Sequence, residues 1–341
     1  RSVTVRILER PSFTSLDVRE GPGPWKRVLA GTDGMRVDGV RRSAYVLSGD
    51  GFSLRWGSFH RSYPGGLSVK VEDGSLALVN RVDLDDYVAG VAAAESGGRG
   101  PFEYRVALAW TARAFALRMT PRHKDADLCD LTHCQVYQGV APDWNTWRAV
   151  ALRAAGIRRP LPKWPLFTGS CGGLLDDPGA VWGEHPSRPG FPIVCSLNGE
   201  ALCRGDPYFR WTRRLPRTEV EAALRDLGQV PAGSRLLSWA PLKRTPAGRA
   251  LSFAYRLLTA QGIREGHVSA SALNSAMGRR WGWNVWPSLS FTVKPLGTED
   301  VYAGRGQGHG AGLCLAGAKA LALRGWDATR ILDFYFPPFQ N

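Results

Sequence analysis

The hydrophobic pattern changes its period near residue 83, and this change is the feature that most constrains the fold. Before it, apolar and polar residues alternate in segments such as 3–7 and 67–71, which predicts β-strands. After Asp83, apolar residues recur every three or four positions as far as Val91, which is the spacing of a helix. Strands and helices therefore occupy separate stretches, which is typical of an α+β protein.

We predict an α+β fold in a single elaborated domain, residues 1–341, because neither a repeat nor a clear linker is visible. Its parts are a β-rich N-terminal part (1–82), a helical segment (83–156) and a mixed antiparallel β/α remainder (157–341). Asp83 is a suitable N-cap for the first helix. The predicted helices cover residues 84–94, 101–119, 144–155, 218–227, 269–277 and 313–323.

The 341 residues carry a formal net charge of +14, which favours polyanionic partners such as nucleic acid, anionic lipid or an acidic cell wall. The arginines form scattered pairs rather than dense blocks, so we predict no nucleic-acid partner. No window of 18 apolar residues occurs, so we predict no transmembrane segment. The first residue is Arg1, and we expect a processed secreted protein, although a trimmed boundary would look the same.

Glu95 is the candidate catalytic residue. It follows the alanines 92–94 and precedes the glycine pair 97–98, at the predicted C-terminus of the first helix. The partial negative charge of a helix C-terminus and a poorly hydrated pocket would both raise the pKa of its carboxyl group. A raised pKa suits a general acid. Judged by spacing alone, an exposed glutamate at a helix end is the commoner interpretation.

Two thiols and an imidazole lie within six residues and can supply three ligands to zinc. These are Cys129, His133 and Cys134, and Cys171 is a weaker candidate for the fourth ligand. Disulfide bonding in an oxidising compartment is the alternative, and the sequence leaves both open. The better disulfide candidates are Cys195 and Cys203, which would close a short loop.

His309 lies in a glycine-dense loop, residues 304–312. The loop does not follow a strand in a βαβ unit, so we reject a dinucleotide site. Glycines on both sides would let a substrate approach the imidazole, although a lone histidine is more often a structural hydrogen-bonding group. The chain also has 13 tryptophans. Some of these could be platforms for sugar rings, while core packing explains most of them.

Taken together, the ordered motifs resemble one family, the stage II sporulation protein D (SpoIID) group, which is related to the amidase-enhancer proteins. The first matching segment, VNRVDLDDYVAGV, covers residues 79–91 and runs into Glu95. The others follow in order: ARAFAL (112–117), DLCDLTHCQVYQG (127–139), SCGG (170–173), GHGAGLC (308–314) and GA (317–318).

The resemblance implies a peptidoglycan lytic transglycosylase that cuts between N-acetylmuramic acid and N-acetylglucosamine, preferably in peptide-free glycan. The family's catalytic glutamate falls on Glu95, and some members carry zinc at the cluster of Cys129, His133 and Cys134. Two departures occur: Ser96 to Gly98 follow the glutamate where Met or Pro is frequent, and Leu315 and Ala316 replace a Gln and an aromatic residue. The predicted substrate-binding residues are Arg113, Tyr137, Gly172, Gly173 and His309.

The implied chemistry uses one carboxyl group as acid and then as base, so no cofactor is required for it. A hydrolytic muramidase is the first alternative, with Asp176 or Asp177 as the second carboxylate. A non-catalytic activator of a cell-wall amidase and a zinc hydrolase are the others. The expected partners are glycan strands and a wall amidase. We expect an extracytoplasmic location, and an anchor in a segment missing from this sequence would be compatible with it.

Overall fold

A computed structural model describes residues 1–10, 12–32 and 34–337 of the protein. It has an α+β fold with mixed sheets, as the sequence predicts. The last four residues of the predicted third part lie outside the described residues. Within the described residues, no helix is both long and apolar enough to cross a membrane.

The contacts divide the chain into two compact units. Unit 1 comprises residues 1–165 and 326–332, and unit 2 comprises residues 166–325 and 333–337. The sequence predicts one elaborated domain whose third part begins at residue 157, nine residues before unit 2 begins at residue 166. No glycine- or serine-rich linker marks this boundary, because the chain passes through the proline-containing segment 160–165 directly into the next strand.

Unit 1 contains two main sheets. One has the strand order β11-β1-β10-β9-β6 and the other the order β5-β4-β3-β2-β7-β8. All these strand pairs are antiparallel except β1 with β11. The strands are β1 (Ser2–Ile7), β2 (Ser15–Glu20), β3 (Lys26–Gly31), β4 (Gly34–Val37), β5 (Val40–Arg42), β6 (Tyr45–Leu47), β7 (Gly51–Trp56), β8 (Phe59–Pro64), β9 (Gly66–Glu72), β10 (Ser75–Asp83) and β11 (Leu128–Cys129).

The alternation seen in the sequence becomes a buried and an exposed face on these strands. In β1, the side chains of Val3, Val5 and Ile7 are buried while the residues between them are partly exposed. β10 shows the same pattern and pairs with β1 so that Val5 faces Asn80. Because side chains on a strand point alternately to opposite faces, this register places one apolar face in the core.

Three helices follow in unit 1 and pack against one another: α1 (Leu84–Glu95), α2 (Phe102–Arg118) and α3 (Trp144–Ala155). Asp83 ends β10 and caps α1, since its carboxylate accepts a hydrogen bond from the Asp85 N–H at 2.8 Å. This confirms the predicted N-cap. α1 is buried along most of its length, and it ends at Glu95, one residue beyond the predicted end.

Unit 2 combines short strands with two three-stranded sheets, β17-β22-β21 and β18-β19-β20. Its strands are β12 (Phe167–Thr168), β13 (Leu174–Leu175), β14 (Ile193–Val194), β15 (Ser196–Leu197), β16 (Glu200–Ala201), β17 (Trp211–Pro216), β18 (Arg235–Arg244), β19 (Ala250–Thr259), β20 (Gly262–Ser269), β21 (Phe291–Leu296), β22 (Glu299–Gly304) and β23 (Leu313–Cys314). Its helices are α4 (Pro178–Val181), α5 (Arg217–Asp226), α6 (Ala270–Trp281) and α7 (Leu315–Leu323).

The predicted helices at 218–227, 269–277 and 313–323 correspond to α5, α6 and α7, with shifts of up to four residues at their ends. The core of unit 2 is aromatic: Trp239 and Trp286 stack at 5.6 Å, and Phe253 and Tyr302 pack beside them. A last helix, α8 (Ala328–Tyr335), was not predicted from the sequence.

Candidate active site and cysteine clusters

Glu95 is the last residue of α1, and its side chain is half-buried. Its Oε1 accepts a hydrogen bond from the backbone N–H of Val136 at 2.8 Å. Burial raises the pKa of the Glu95 carboxyl, and the Val136 hydrogen bond opposes part of this rise. Within the described residues, Oε2 has no hydrogen-bond partner. Glu95 therefore combines one anchored oxygen with a carboxyl group that favours its protonated form.

The segment that supplies the Val136 N–H packs closely on α1. The Tyr87 hydroxyl donates to Oε1 of the buried Gln135 at 3.1 Å, which fixes the residue next to Val136. Gly90 permits the close approach, since a Cβ there would lie 2.7 Å from the Tyr137 ring and 2.9 Å from the Gly139 carbonyl oxygen. The small residue in the middle of α1 therefore helps to determine where Val136 meets Glu95.

Tyr137, predicted to contact substrate, is completely buried. Its hydroxyl donates to Asn80 Oδ1 at 3.0 Å, and its ring packs against Tyr63 and Tyr87. In this arrangement the side chain is enclosed by the protein, and its contact with substrate stays a prediction. Tyr137 holds the Val136 segment against the strands and α1.

Arg113, also predicted to bind substrate, lies on α2 and pairs with Asp85 in the first turn of α1. Asp85 and Glu95 are ten residues apart on one helix, which corresponds to about 15 Å. The structure therefore does not bring the Arg113 guanidinium group to Glu95. Its role in substrate binding stays a prediction, while its observed contact joins α1 to α2.

The predicted zinc cluster converges in unit 1 and includes a histidine that the sequence analysis did not select. The nitrogen and sulfur atoms of His123, Cys129, His133 and Cys134 lie within 4.8 Å of one another. Cys134 Sγ is 3.4 Å from His123 Nε2 and 3.6 Å from His133 Nδ1. Zinc bonds of about 2.0–2.3 Å in a tetrahedron separate the ligands by about 3.3–3.8 Å. The four donors therefore fit one zinc ion.

The two thiols of this cluster differ in their protonation: the contact with Cys134 and burial raise the pKa of Cys129. The hydrogen bond from the Cys129 thiol lowers the pKa of Cys134 to about 6. A thiolate is the form of cysteine that binds zinc. His123 lies six residues before Cys129. That spacing was available in the sequence, but it is wider than the usual paired zinc motifs and so carries little information by itself.

Cys171, the weaker candidate for the fourth ligand, does not belong to this cluster. It lies in unit 2 beside three other buried cysteines, Cys195, Cys203 and Cys314. All six cysteines are free in the structure, so the Cys195–Cys203 disulfide considered from the sequence is not observed. Between Cys129 and Cys171 lie 41 residues, and no local pattern reveals where such a segment returns.

His309 lies in unit 2 and is half-buried. Its Nδ1 accepts a hydrogen bond from the Ala311 N–H at 3.3 Å, which places the proton of the neutral ring on Nε2. Burial and the positive charge of Arg249 lower the pKa of His309 to about 4. At neutral pH the imidazole is therefore uncharged and offers hydrogen bonds.

Gly172 and Gly173 lie beside the loop that carries His309. A Cβ at Gly172 would be 2.9 Å from the Gly306 nitrogen, and both glycines have positive φ angles, +68° and +102°. Ser170 and Gln307 exchange two backbone hydrogen bonds in this region. The predicted substrate-binding glycines thus let two loops meet, and direct contact with substrate stays a prediction.

A cavity of about 400 Å³ opens beside His309 in unit 2. Its lining includes Trp182, which is 50% exposed, and Trp283, which is 63% exposed. Asn274 and Ser275 also line it. The Trp182 and His309 rings are 5.3 Å apart. Two further tryptophans, Trp211 and Trp286, are buried in the core. Aromatic rings with polar neighbours are a suitable surface for sugars.

The two aspartates considered as a second carboxylate are both completely buried in unit 2. Asp176 forms an ion pair with the buried Arg249. Asp177 caps α4 and binds Arg188, with Nε–Oδ2 at 2.8 Å, which lowers the pKa of the carboxyl. Both carboxylates are therefore committed to structural ion pairs.

Residues 72–155 match the model of the SpoIID family, described as stage II sporulation protein. This match confirms the resemblance predicted from the motifs. The SpoIID segment contains Glu95, Arg113, Tyr137 and the whole cluster of His123, Cys129, His133 and Cys134. It supports a protein related to sporulation or the cell wall, with cell-wall material as its substrate and an extracytoplasmic location.

The chain is also similar to an uncharacterised protein of Brachyspira hyodysenteriae. The two are 26% identical over 313 residues, which cover 89% of this chain and 78% of that protein. The similarity therefore extends well beyond the SpoIID segment and includes most of unit 2.

Proposed function

We propose that the protein is a peptidoglycan lytic transglycosylase in which Glu95 is the catalytic acid and base. The observation that carries this proposal is the state of Glu95 inside the SpoIID segment. Its carboxyl is half-buried, its pKa is raised by that burial, and one oxygen is anchored by the Val136 N–H. This leaves Oε2 free to carry a proton to a substrate.

The reaction needs a single carboxyl group. Protonated Glu95 donates its proton to the glycosidic oxygen as the bond to C1 of N-acetylmuramic acid breaks through an oxocarbenium-like state. The resulting carboxylate then accepts the proton of the C6 hydroxyl, whose oxygen attacks C1. The product is a 1,6-anhydro sugar, and Glu95 is protonated again at the end. No water is consumed.

The ion pairs of unit 2 favour this reaction over hydrolysis. A hydrolytic muramidase needs a second carboxylate to activate water or to form a covalent intermediate. Asp176 and Asp177, the candidates from the sequence, are buried and paired with arginines. Releasing Asp176 would leave the buried Arg249 unpaired, which is costly for a buried charge.

We also propose that zinc binds at His123, Cys129, His133 and Cys134 and has a structural role. When bound, zinc would cross-link the segment 123–134, which leads directly into Val136. The zinc would not take part in the reaction, because Glu95 and not a metal ligand donates the proton. It would position Val136, whose N–H binds Glu95 Oε1. Metal removal should therefore increase the solvent exchange of the Val136 amide, which hydrogen exchange measured by mass spectrometry can follow independently of activity.

The expected substrate is peptide-free glycan, and a wall amidase that removes stem peptides is the expected partner. The exposed tryptophans beside His309 support a sugar ligand for unit 2. The net charge of +14 suits the anionic surface of a cell wall.

The decisive experiment compares the products that wild-type protein releases from peptide-free and peptide-bearing glycan. We expect 1,6-anhydro ends from the peptide-free strands, detected by mass spectrometry, and much less product from the peptide-bearing strands. Reducing ends would indicate a muramidase. A protein that releases nothing by itself but accelerates a purified wall amidase would instead be a non-catalytic activator.

A further inference from the structure

Unit 2 contains a second cluster of potential metal ligands that the proposed reaction does not use. The four sulfur atoms of Cys171, Cys195, Cys203 and Cys314 lie within 4.8 Å of one another. The sulfurs of Cys171 and Cys203 are 3.7 Å apart, and all four side chains are at most 2% exposed. Residues as far apart in sequence as Cys171 and Cys314 therefore meet at one buried point.

The backbone presents these sulfurs from three different local structures. Cys171 precedes the turn at Gly172 and Gly173. Cys195 and Cys203 flank the hairpin of β15 and β16, whose turn residues Asn198 and Gly199 have φ angles of +51° and +80°. An Asn-Gly pair with positive φ angles is the favoured two-residue turn of a hairpin. The hairpin therefore holds its two cysteines side by side.

Cys314 presents the fourth sulfur from the N-terminus of α7. Its Sγ accepts hydrogen bonds from the N–H groups of Gly317 at 3.4 Å and Cys171 at 3.3 Å. The Tyr335 hydroxyl lies 3.3 Å from Cys195 Sγ. Hydrogen-bond donors and a helix N-terminus stabilise negative charge on sulfur. Cys314 and Cys195 therefore have hydrogen-bonding neighbours at their sulfur atoms although the cluster is buried.

The space beside the sulfurs is kept open by Gly317. A Cβ at this position would lie 2.9 Å from Cys195 Sγ and 2.1 Å from the Tyr335 hydroxyl oxygen. Any larger residue would therefore push into the cluster.

We propose that Cys171, Cys195, Cys203 and Cys314 bind one structural zinc ion as a tetrathiolate site, separate from the His/Cys cluster of unit 1. Tetrahedral Zn–S bonds of about 2.3 Å separate the sulfurs by about 3.8 Å, close to the observed 3.7 Å between Cys171 and Cys203. Binding would release the thiol protons, and Zn²⁺ would cancel two of the four negative charges of the thiolates.

The site ties together the elements around His309. β12 and β23 pair in parallel just before Cys171 and at Cys314, and the Gly-rich loop 304–312 leads into β23. A zinc ion at the four cysteines would therefore hold the loop that carries His309. Its role is positioning, since none of its ligands contacts the cavity beside His309.

The test is metal analysis of the full chain purified without chelator and under reducing conditions. We expect two zinc ions per wild-type chain when both clusters are filled. Cys203→Ser should lose the unit 2 zinc and keep the other. Cys134→Ser, the matched control, should lose only the unit 1 zinc. A Cys203→Ser protein that keeps the wild-type zinc content would overturn the proposal.

X-ray absorption at the zinc edge covers the case in which Cys203→Ser does not fold. In the Cys134→Ser protein the remaining zinc should have four sulfur neighbours at about 2.3 Å. Nitrogen neighbours at that zinc, iron in place of zinc, or two disulfides among these four cysteines in a non-reduced digest would each overturn the proposal. The outcome is independent of lytic activity, so failure of the proposed function leaves this test intact.

Discussion

Glu95 in unit 1 and His309 in unit 2 are both half-buried titratable groups, and burial shifts their pKa values in opposite directions. It raises the pKa of Glu95, and together with the charge of Arg249 it lowers the pKa of His309 to about 4. Both shifts favour the uncharged form, because burial penalises charge of either sign. The chemical results differ: neutral Glu95 has a proton to give, whereas neutral His309 is a hydrogen-bonding group.

The largest expected effect is the loss of activity in Glu95→Gln, and it distinguishes a proton donor from a hydrogen-bonding group. Glu95→Gln should lower the rate of anhydro-sugar release roughly 100- to 10,000-fold, the usual contribution of a general acid and base. The amide oxygen of Gln can still accept the Val136 N–H, so the fold should be kept. His309→Gln should lower the rate by about tenfold or less, because it exchanges one neutral hydrogen-bonding group for another.

Chromatography of the released anhydro sugars measures both rates, and circular dichroism checks folding. The exposed Glu265→Gln is a matched control and should behave as wild type. An equal loss of activity in the Glu95 and His309 variants would remove the proposed distinction between proton donor and hydrogen-bonding group.

The packing behind Glu95 is tested by Gly90→Ala. The new methyl group would meet the Tyr137 ring at 2.7 Å and the Gly139 carbonyl at 2.9 Å. We expect a loss of about 1–3 kcal/mol in the free energy of unfolding, as for other overpacked cores. Lytic activity should fall as well, because the Val136 segment would shift. A loss of both stability and activity would show that the packing between Gly90 and Tyr137 positions Glu95.

Chemical denaturation gives the free energy of unfolding. Gly156→Ala is the control, since Gly156 has an ordinary helical conformation and a Cβ there would approach nothing closer than 3.4 Å. Wild-type stability in Gly90→Ala would show that the Tyr137 segment does not pack on α1 in solution.

A smaller effect is expected at the cavity beside His309. Trp182→Ala should raise the KM for glycan about fivefold, which corresponds to about 1 kcal/mol of lost aromatic contact, with little change in kcat. Trp281→Ala is the matched control, because Trp281 is similarly exposed but lines a different cavity. Equal KM values for the two variants would argue against a sugar site beside His309.

The smallest effect is the pH dependence of stability caused by Glu95. The pKa of its carboxyl is higher in the folded protein than in the unfolded chain, so protonation favours folding. This contribution is complete below the unfolded pKa and is lost as the pH rises through the folded pKa. Glu95→Gln, which stays neutral, should therefore be slightly more stable than wild type at neutral pH, and the difference should vanish in acid.

Thermal unfolding of both proteins between pH 4 and pH 8 measures this difference. If Glu95→Gln is less stable than wild type at pH 8, the carboxylate is stabilised rather than penalised in the folded protein. Burial would then not be the common cause of the pKa shifts of Glu95 and His309.

Much of unit 1 was predictable because its signals are local. Asp83 marks the start of α1 through its capping side chain, and α3 has the bounds predicted from the sequence. The strand periodicity of residues 3–7 likewise matches the observed burial. The direction of the Glu95 pKa shift also followed from its alanine-rich surroundings.

The site residues were harder to predict, because their contacts join distant segments. Tyr137 was predicted to bind substrate because it lies in one of the matching motifs. In the structure it packs against Gly90 and is buried. Arg113 lies on the helix next to α1, but at the end opposite to Glu95. The sequence indicates that α1 and α2 are neighbours, but it does not show which turn of α2 contacts which turn of α1.

The sequence by itself determined the α+β class, the helix that ends at Glu95 and the family resemblance, since all three depend on residues close together in the chain. Only the tertiary structure decided the grouping of the cysteines. His123 joins Cys129, His133 and Cys134, whereas Cys171 joins Cys195, Cys203 and Cys314. The physical reason is that side-chain donors can share one ion only when packing brings them within a few ångströms, and packing is set by the burial of apolar surface over the whole unit.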